Sequence, residues 1–278
     1  MQDTKKIINR ILGPFGIEII KSKNKFYELF LYPETARPEL PRYVNIGAGD
    51  FYHPYWHNLD IPNDYYRELQ KGRLQILHDL GTAAPLPFRD NTLKIAYCSH
   101  VLEHLSNENV KHLFSEIYRS LAPGGYFRIT CPDMDLEYDA YLRRDEHFWN
   151  APNAYGYFSP SIAQRFLDHF AGALTEAHPD KSNMKLKDAE IESIFKSMPH
   201  EAAMDNIVSR IPANMLKGNA GDHINWFNYN KTESMLTESG FKEVYKSGYG
   251  QSKSPILRNT RLFDGTCPWL SLYVECRK

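Results

Sequence analysis

Short apolar runs separated by polar turns dominate the chain and predict β-strands. Runs of four to eight apolar and β-branched residues, bounded by turn residues, are typical of strands inside a sheet. The runs lie at 42–46, 58–61, 74–80, 93–99, 126–130, 241–245 and 270–276. The pattern therefore predicts seven strands.

Between the fourth and fifth runs, apolar residues recur with the period of an α-helix. They are Val110, Leu113, Phe114, Ile117, Tyr118 and Leu121. Such a single apolar face predicts an amphipathic helix. Ser106 or Asn107 is expected to cap it, and the run 123–125 to end it. The alternation of strand and helix is expected to resume at 223–227 with a strand-like segment, and a second helix follows it, capped by Asn230 and closed by Gly240.

Strands that alternate with helices are characteristic of a doubly wound sheet. We therefore predict an α/β fold, a Rossmann-like seven-stranded, mostly parallel sheet with helices on both faces. Only residues 51–58 separate the first two strands, so the first crossover helix must be very short or absent.

The alternation stops between 133 and 220, where two helical faces predict a helical insertion. These faces are Ile162, Phe166, Phe170 and Leu174, then Ile191, Ile194, Phe195 and Met198. The aromatic residues from Tyr138 to Tyr157 form either its core or a lid. We predict four segments: a helical arm at 1–40, halves of the sheet domain at 41–132 and 221–278, and the insertion at 133–220.

Composition narrows the class of protein. The 278 residues are 42% hydrophobic and 13% aromatic, enough for a sizeable core. The 33 basic and 34 acidic residues give a net charge of −1, which argues against nucleic acid as the partner. Four scattered cysteines without a Cys-x-x-Cys pair suggest neither zinc nor disulfides, so a reducing cytoplasm is expected.

Membrane association is not expected from the sequence. No apolar run reaches the roughly 18–20 residues of a membrane span, and the signal-peptide pattern is missing. A basic amphipathic pattern near the start leaves peripheral membrane contact as a weaker alternative. The oligomeric state is not indicated.

The first strand ends in Asn45-Ile46-Gly47-Ala48-Gly49-Asp50. Two glycines one residue apart mark a turn where the backbone passes close to a ligand. Later strands end in Asp60, Asp79 and Ser99-His100. Ligands of parallel sheets bind at the carboxyl ends of the strands, so we expect these residues to share one site. Tyr52 stands where a dinucleotide-binding motif needs its third glycine, which argues against a dinucleotide.

Taken in order, these motifs resemble the class I S-adenosylmethionine-dependent methyltransferases, type 11 group. The matching stretches lie at 45–50, 58–61, 78–80 with 85–88, 97–105 and 121–125. The resemblance implies that the cofactor is S-adenosylmethionine. The residues implied to bind it are Asn45, Ile46, Gly47, Ala48, Gly49, Asp50, Asp60, Ile61, Asp79, Leu80 and Ser99.

The resemblance also implies individual roles. The glycine turn would meet the methionine part and the ribose, Asp60 the two ribose hydroxyls, and Asp79 the adenine amino group. The sequence departs from the family at Asn45, where an acid is common, and at the missing third glycine.

Two histidines are candidates for the general base that a hydroxyl acceptor would need. His100 follows the fourth strand, and His223 opens the segment after the insertion. Glu103-His104 resembles a pair with which some small-RNA methyltransferases bind a metal. No matching second pair is evident in the sequence, so we expect no metal.

The predicted function is O-methylation of a small acceptor. The motifs look similar to those of methyltransferases of bacterial surface-polysaccharide synthesis, which implies a sugar or its phosphate-activated precursor. Lys253 and Arg258 could meet such a phosphate, or belong to a solvated loop. The alternative is a protein of the same fold that binds the cofactor or a partner without catalysis.

Overall fold

The computed structural model describes residues 31–32, 42–49, 51–61, 76–149, 161–178, 184–212 and 221–278. Apart from residues 31–32, the described residues belong to the compact unit Glu39–Lys278. The predicted helical arm therefore lies almost entirely outside the described residues. The same holds for Asp50 and for the aromatic residues Tyr155 and Tyr157.

Seven strands form one sheet, as the apolar runs predict. They are β1 (Tyr43–Ile46), β2 (His57–Asp60), β3 (Ile76–Leu77), β4 (Leu93–Ser99), β5 (Leu121–Pro132), β6 (Glu243–Lys246) and β7 (Ser271–Arg277). Their order is β3-β2-β1-β4-β5-β7-β6, and β7 alone runs antiparallel to its neighbours. The start of β7 therefore lies at the same edge as the ends of β4 and β5.

Seven α-helices accompany the sheet in the described part of the chain. They are α1 (Asn107–Ser120), α2 (Met134–Leu142), α3 (Glu146–Trp149), α4 (Ile162–Ala171), α5 (Asp188–Ser197), α6 (His200–Val208) and α7 (Tyr229–Glu238). Ser106 caps α1 by accepting a hydrogen bond from the Asn109 amide at 3.2 Å. No helix among these described residues is long and apolar enough to cross a bilayer.

Two hydrophobic clusters form the core. The first joins one face of β1, β4, β5 and β7 to the apolar faces of α1 and α7. The second lies among α2 and α4–α6, where Phe166 and Phe170 are fully buried. Tyr138 and Tyr141 pack against Phe166 and Phe195 in this second cluster, so these aromatic residues belong to a core.

The opposite face of β4 and β5 carries a buried charge network. Arg128 of β5 donates two hydrogen bonds to Asp264, at 2.8 and 2.6 Å, and lies 3.3 Å from Glu275 of β7. Its guanidinium also donates to the carbonyls of Gly248 and Gln251. One fully buried arginine thus ties the segment between β6 and β7 to the sheet.

The N-cap of α7 differs from the prediction. Asn228, not Asn230, accepts a hydrogen bond from the Lys231 amide, at 2.9 Å. Asn228 is fully buried and also donates to Asp135 and Glu201, so tertiary contacts fix the start of the helix two residues early. Gly240 closes the helix with φ of 107°, as expected.

Replacing Asn228 with alanine should lower the free energy of unfolding by about 2 kcal/mol. The variant loses an N-cap and leaves two carboxylates without this donor. The matched change Asn230→Ala, at an exposed position, should cost less than about 0.5 kcal/mol. Urea unfolding of both variants checks this, and equal losses would contradict the assignment of the cap.

Candidate functional site

The glycine turn after β1 is held in a conformation that glycine adopts readily. Gly47 has φ of 64° and Gly49 has φ of 52°, both in the left-handed region. The Gly47 amide donates to the Leu59 carbonyl of β2 at 2.9 Å. A Cβ on Gly47 would lie 2.2 Å from Cγ2 of Val101. The turn therefore packs directly on the residues that follow β4.

Asp60, the last residue of β2, joins the same turn. Its Oδ2 accepts the Gly49 amide at 3.0 Å, and its Oδ1 accepts the Ile61 amide at 2.7 Å. The residue is 6% exposed. A carboxylate offers two acceptor oxygens, with about four acceptor sites between them. A ligand with two neighbouring hydroxyls matches this pair of acceptors.

Asn45 lies in the middle of β1 and is buried. Its Oδ1 accepts no hydrogen bond from the described part of the chain. A buried acceptor without a donor is costly, and a ligand that donates a hydrogen bond would remove the cost. Asp50, which the resemblance also implies as a cofactor contact, lies outside the described residues.

Two predicted contacts lie at the ends of β3 and β4. Asp79 is exposed, and its Oδ1 accepts the Gly81 amide at 2.7 Å, while the neighbouring Leu80 is buried. Ser99 shares a 2.8 Å hydrogen bond with Thr130 across the ends of β4 and β5. The strand order places Asp79 at the outer side of the edge and Ser99 near its middle.

His100 adopts an unusual backbone conformation immediately after β4, with φ of 53°. Its amide donates to the Thr130 carbonyl at 2.8 Å. Its Nε2 lies 2.8 Å from the Ser271 hydroxyl, and its Nδ1 lies 3.1 Å from Oε1 of Glu103. A left-handed non-glycine residue at a strand end is typical of a functional site.

Glu103 is the buried charge beside His100. It belongs to a 3₁₀ turn, Leu102–His104, and is 1% exposed. Burial raises the pKa of this carboxyl, but the nearby imidazoles of His100, His104 and His223 outweigh it and lower the pKa to about 2. The carboxylate is therefore ionised at neutral pH.

His223 reaches the same place from the segment before α7. This segment forms no strand; the amides of Ile224 and Asn225 donate instead to the Glu103 carbonyl. Burial lowers the pKa of His223 to about 3, because charging a buried imidazole is unfavourable. Its Nδ1 lies 2.9 Å from the His169 carbonyl.

The structure brings both predicted histidines to Glu103 and adds residues that the sequence did not single out. Val101 supports the glycine turn, Thr130 orients Ser99, and Ser271 orients His100. Ser271 lies at the site because β7 runs antiparallel, which no local pattern indicates.

The two basic residues considered for a phosphate have contacts within their own loop or its neighbours. Arg258 donates to the carbonyls of Ser252 and Lys253, at 2.6 and 3.4 Å. The Lys253 ammonium lies 4.0 Å from the ring centre of Tyr245. These contacts favour a structural role.

The residues present fit the cofactor that the motifs imply. Gly47 leaves no room for a side chain, Asp60 brings a two-oxygen carboxylate to the glycine turn, and the buried Oδ1 of Asn45 accepts no hydrogen bond from the described residues. These are the contacts that the ribose and the ammonium of S-adenosylmethionine would need.

Comparison with known proteins finds one match to a family model. A family model described as a methyltransferase domain matches residues 58–129. The match covers β2 to β5 and begins after the glycine turn, where the chain departs from the family pattern. No curated protein matches the chain.

Several solved structures align along most of the chain. A methyltransferase from Thermotoga maritima is 14% identical, with 92% of this chain and 95% of that one covered and a TM-score of 0.40. A methyltransferase from Mesorhizobium loti is 15% identical, with 90% of this chain and 96% of that one covered and a TM-score of 0.41. One from Archaeoglobus fulgidus is 13% identical, with 91% and 92% covered and a TM-score of 0.41. Similarity at this level carries no argument about activity.

The family match spans several of the strand ends at the carboxyl edge of the sheet. The matched residues include Asp60, Asp79 and Ser99, which the motifs assign to the cofactor. Residues 58–129 thus match a methyltransferase domain, and the cofactor that this match implies is S-adenosylmethionine.

Proposed function

We propose that the protein is an S-adenosylmethionine-dependent methyltransferase that methylates a hydroxyl of a small acceptor. The observation that carries the proposal is the contact between Asp60 and the glycine turn. Its carboxylate accepts the Gly49 and Ile61 amides, so both of its oxygens lie at the glycine turn, where the cofactor would bind. Asn45, Ile46, Ala48, Ile61, Asp79, Leu80 and Ser99 complete the proposed cofactor site, together with Gly47 and Gly49.

S-adenosylmethionine supplies a methyl group that is already electrophilic. The protein then has to orient the acceptor and exclude water, which can contribute much of the rate. A hydroxyl acceptor must also lose its proton as it gains the methyl group, so an imidazole nitrogen nearby favours an oxygen acceptor. His100 and His223 are the proposed candidates, and each has a ring nitrogen close to the buried Glu103 carboxylate.

The class of acceptor is proposed from the motifs alone. Their similarity to methyltransferases of surface-polysaccharide synthesis favours a sugar or a phosphate-activated sugar. A phosphate on the acceptor would need a cation other than Arg258, whose guanidinium is occupied by loop carbonyls. We also propose a cytoplasmic location, because four scattered cysteines suggest a reducing environment. All four are free in the structure.

Calorimetry with S-adenosylmethionine and S-adenosylhomocysteine tests the proposal. The parent protein should bind both, and Asp60→Ala should bind them about 10- to 100-fold more weakly, because hydrogen bonds to a charged group contribute about 1.5–3 kcal/mol. Asp60→Asn, which keeps one oxygen, should lie between. The exposed change Asp90→Ala, remote from this edge in sequence, is the matched control.

Three results would bear on different parts of the proposal. No heat of binding for either ligand would remove the methyltransferase proposal. Equal affinity of the parent and Asp60→Ala would remove only the ribose assignment. Binding without methyl transfer to any candidate sugar would favour the non-catalytic alternative.

A further inference from the structure

The buried carboxylate of Glu103 lacks the hydrogen bonds that such a group normally has. Neither of its oxygens accepts a hydrogen bond of regular geometry from any described residue. Nδ1 of His100 lies 3.1 Å from Oε1 of Glu103 and forms an ion pair with it only when that imidazole is protonated. Buried charges in proteins are normally paired or bind metals.

Two imidazoles beside Glu103 are fixed in one orientation by backbone carbonyls. Nδ1 of His104 lies 3.0 Å from the Asp222 carbonyl, and Nδ1 of His223 lies 2.9 Å from the His169 carbonyl. A carbonyl only accepts, so each Nδ1 carries the proton. In the neutral ring, each Nε2 then presents a lone pair. Metal-binding histidines are oriented in the same way, by a carbonyl or carboxylate on the other nitrogen.

These three side chains converge. One ligand atom from each of Glu103, His104 and His223 lies within 4.8 Å of one from each of the others. The two imidazole centres are 4.9 Å apart. The three side chains therefore direct acceptor atoms toward one region beside the buried Glu103. A cation is the partner that would satisfy all of them. We propose that Glu103, His104 and His223 bind a divalent metal ion.

The donor set indicates which metals fit. Two imidazoles and one carboxylate suit Zn²⁺ or another transition metal, since Mg²⁺ and Ca²⁺ prefer oxygen ligands alone. Three protein ligands also leave a coordination position open, as catalytic zinc sites do. An acceptor hydroxyl bound there would lose its proton more easily. This role rests on the proposed methyltransferase function, whereas metal binding itself does not.

The second group of possible metal ligands is a weaker candidate. Asp135, His200 and Glu201 also lie close together, but more exposed. Oδ1 of Asp135 already accepts from His200 and Asn228, and Oε1 of Glu201 accepts from Asn228. These acids therefore have hydrogen-bond partners, whereas Glu103 has none of regular geometry.

Metal titration of the untagged, full-length protein tests the site. After dialysis against a chelator, Zn²⁺ is titrated by calorimetry and Co²⁺ by its visible absorption. The parent should bind one ion of each per chain. Glu103→Gln and His223→Gln should each weaken binding by about 100-fold or more, since even the loss of a group behind a ligand costs 10- to 100-fold. His147→Gln, at an exposed histidine, should bind like the parent.

The competing explanation is that protonated His100 alone neutralises Glu103. It predicts that the parent binds no zinc, or that Glu103→Gln and His223→Gln bind zinc as tightly as the parent. Either result would overturn the metal site.

Circular dichroism of each variant checks that it is folded. Binding of S-adenosylhomocysteine is measured on the same samples. Binding of this ligand without zinc binding would overturn only the metal site. Zinc binding without S-adenosylhomocysteine binding would support the site and count against the proposed function.

Discussion

Replacing Gly47 with alanine should weaken the binding of S-adenosylhomocysteine by about 100-fold or more. An alanine in the left-handed region costs about 1–2 kcal/mol, and crowding a packed site costs about 1–3 kcal/mol more. The new Cβ would lie 2.2 Å from Cγ2 of Val101, so the turn or the valine must move. A shift of the turn would displace the Gly49 amide from Oδ2 of Asp60, which accepts it at 3.0 Å.

The double variant Gly47→Ala/Val101→Ala separates the effect of crowding against Val101 on affinity from the effect of the left-handed backbone at residue 47. Removing the valine methyl groups should restore part of the lost affinity, because the closest contact disappears. Val101→Ala alone is the matched control and should bind within about fivefold of the parent. Calorimetry of the four proteins measures this, and a Gly47→Ala variant that binds like the parent would contradict the proposed cofactor turn.

The second large effect concerns stability. Replacing Arg128 with methionine should lower the free energy of unfolding by about 3–5 kcal/mol, because it leaves buried acids without their cation. Asp264 and Glu275 are both fully buried at this position. The change also removes the donors to Gly248 and Gln251, so the segment between β6 and β7 loses its attachment to the sheet.

Arg128→Lys is the control for charge alone. Lysine keeps the positive charge but cannot reproduce the planar fork that donates to both oxygens of Asp264. We expect its loss of stability to lie between those of the parent and the methionine variant. Denaturant unfolding measures all three. A methionine variant within about 1 kcal/mol of the parent would show that the network contributes little.

Much of the fold follows from local sequence patterns. The apolar face from Val110 to Leu121 predicts α1 because helical periodicity repeats within a few residues. The strands are equally local, since a buried parallel strand appears as one apolar run. The strand ends at Asp60 and Ser99 then follow from the rule that ligands bind at the carboxyl edge.

The parts that the sequence did not reveal depend on contacts between distant residues. Arg128 looks like a single interruption of an apolar strand, and its partner Asp264 lies 136 residues away. Asn228 caps α7 because Asp135 and Glu201 bind it, although Asn230 matches the local capping pattern. His223 reaches Glu103 only through the path of the chain after the insertion. Local periodicity carries no information on such pairs.

The central claim is that the carboxyl edge of β1, β2 and β4 binds S-adenosylmethionine. Electron density from crystals grown with saturating S-adenosylhomocysteine tests it most directly. The account predicts density along this edge, with the ribose hydroxyls within hydrogen-bonding distance of Asp60 and the adenine beside Asp79 and Leu80. Density at another place on the protein, or none at this edge at saturating ligand, would contradict it.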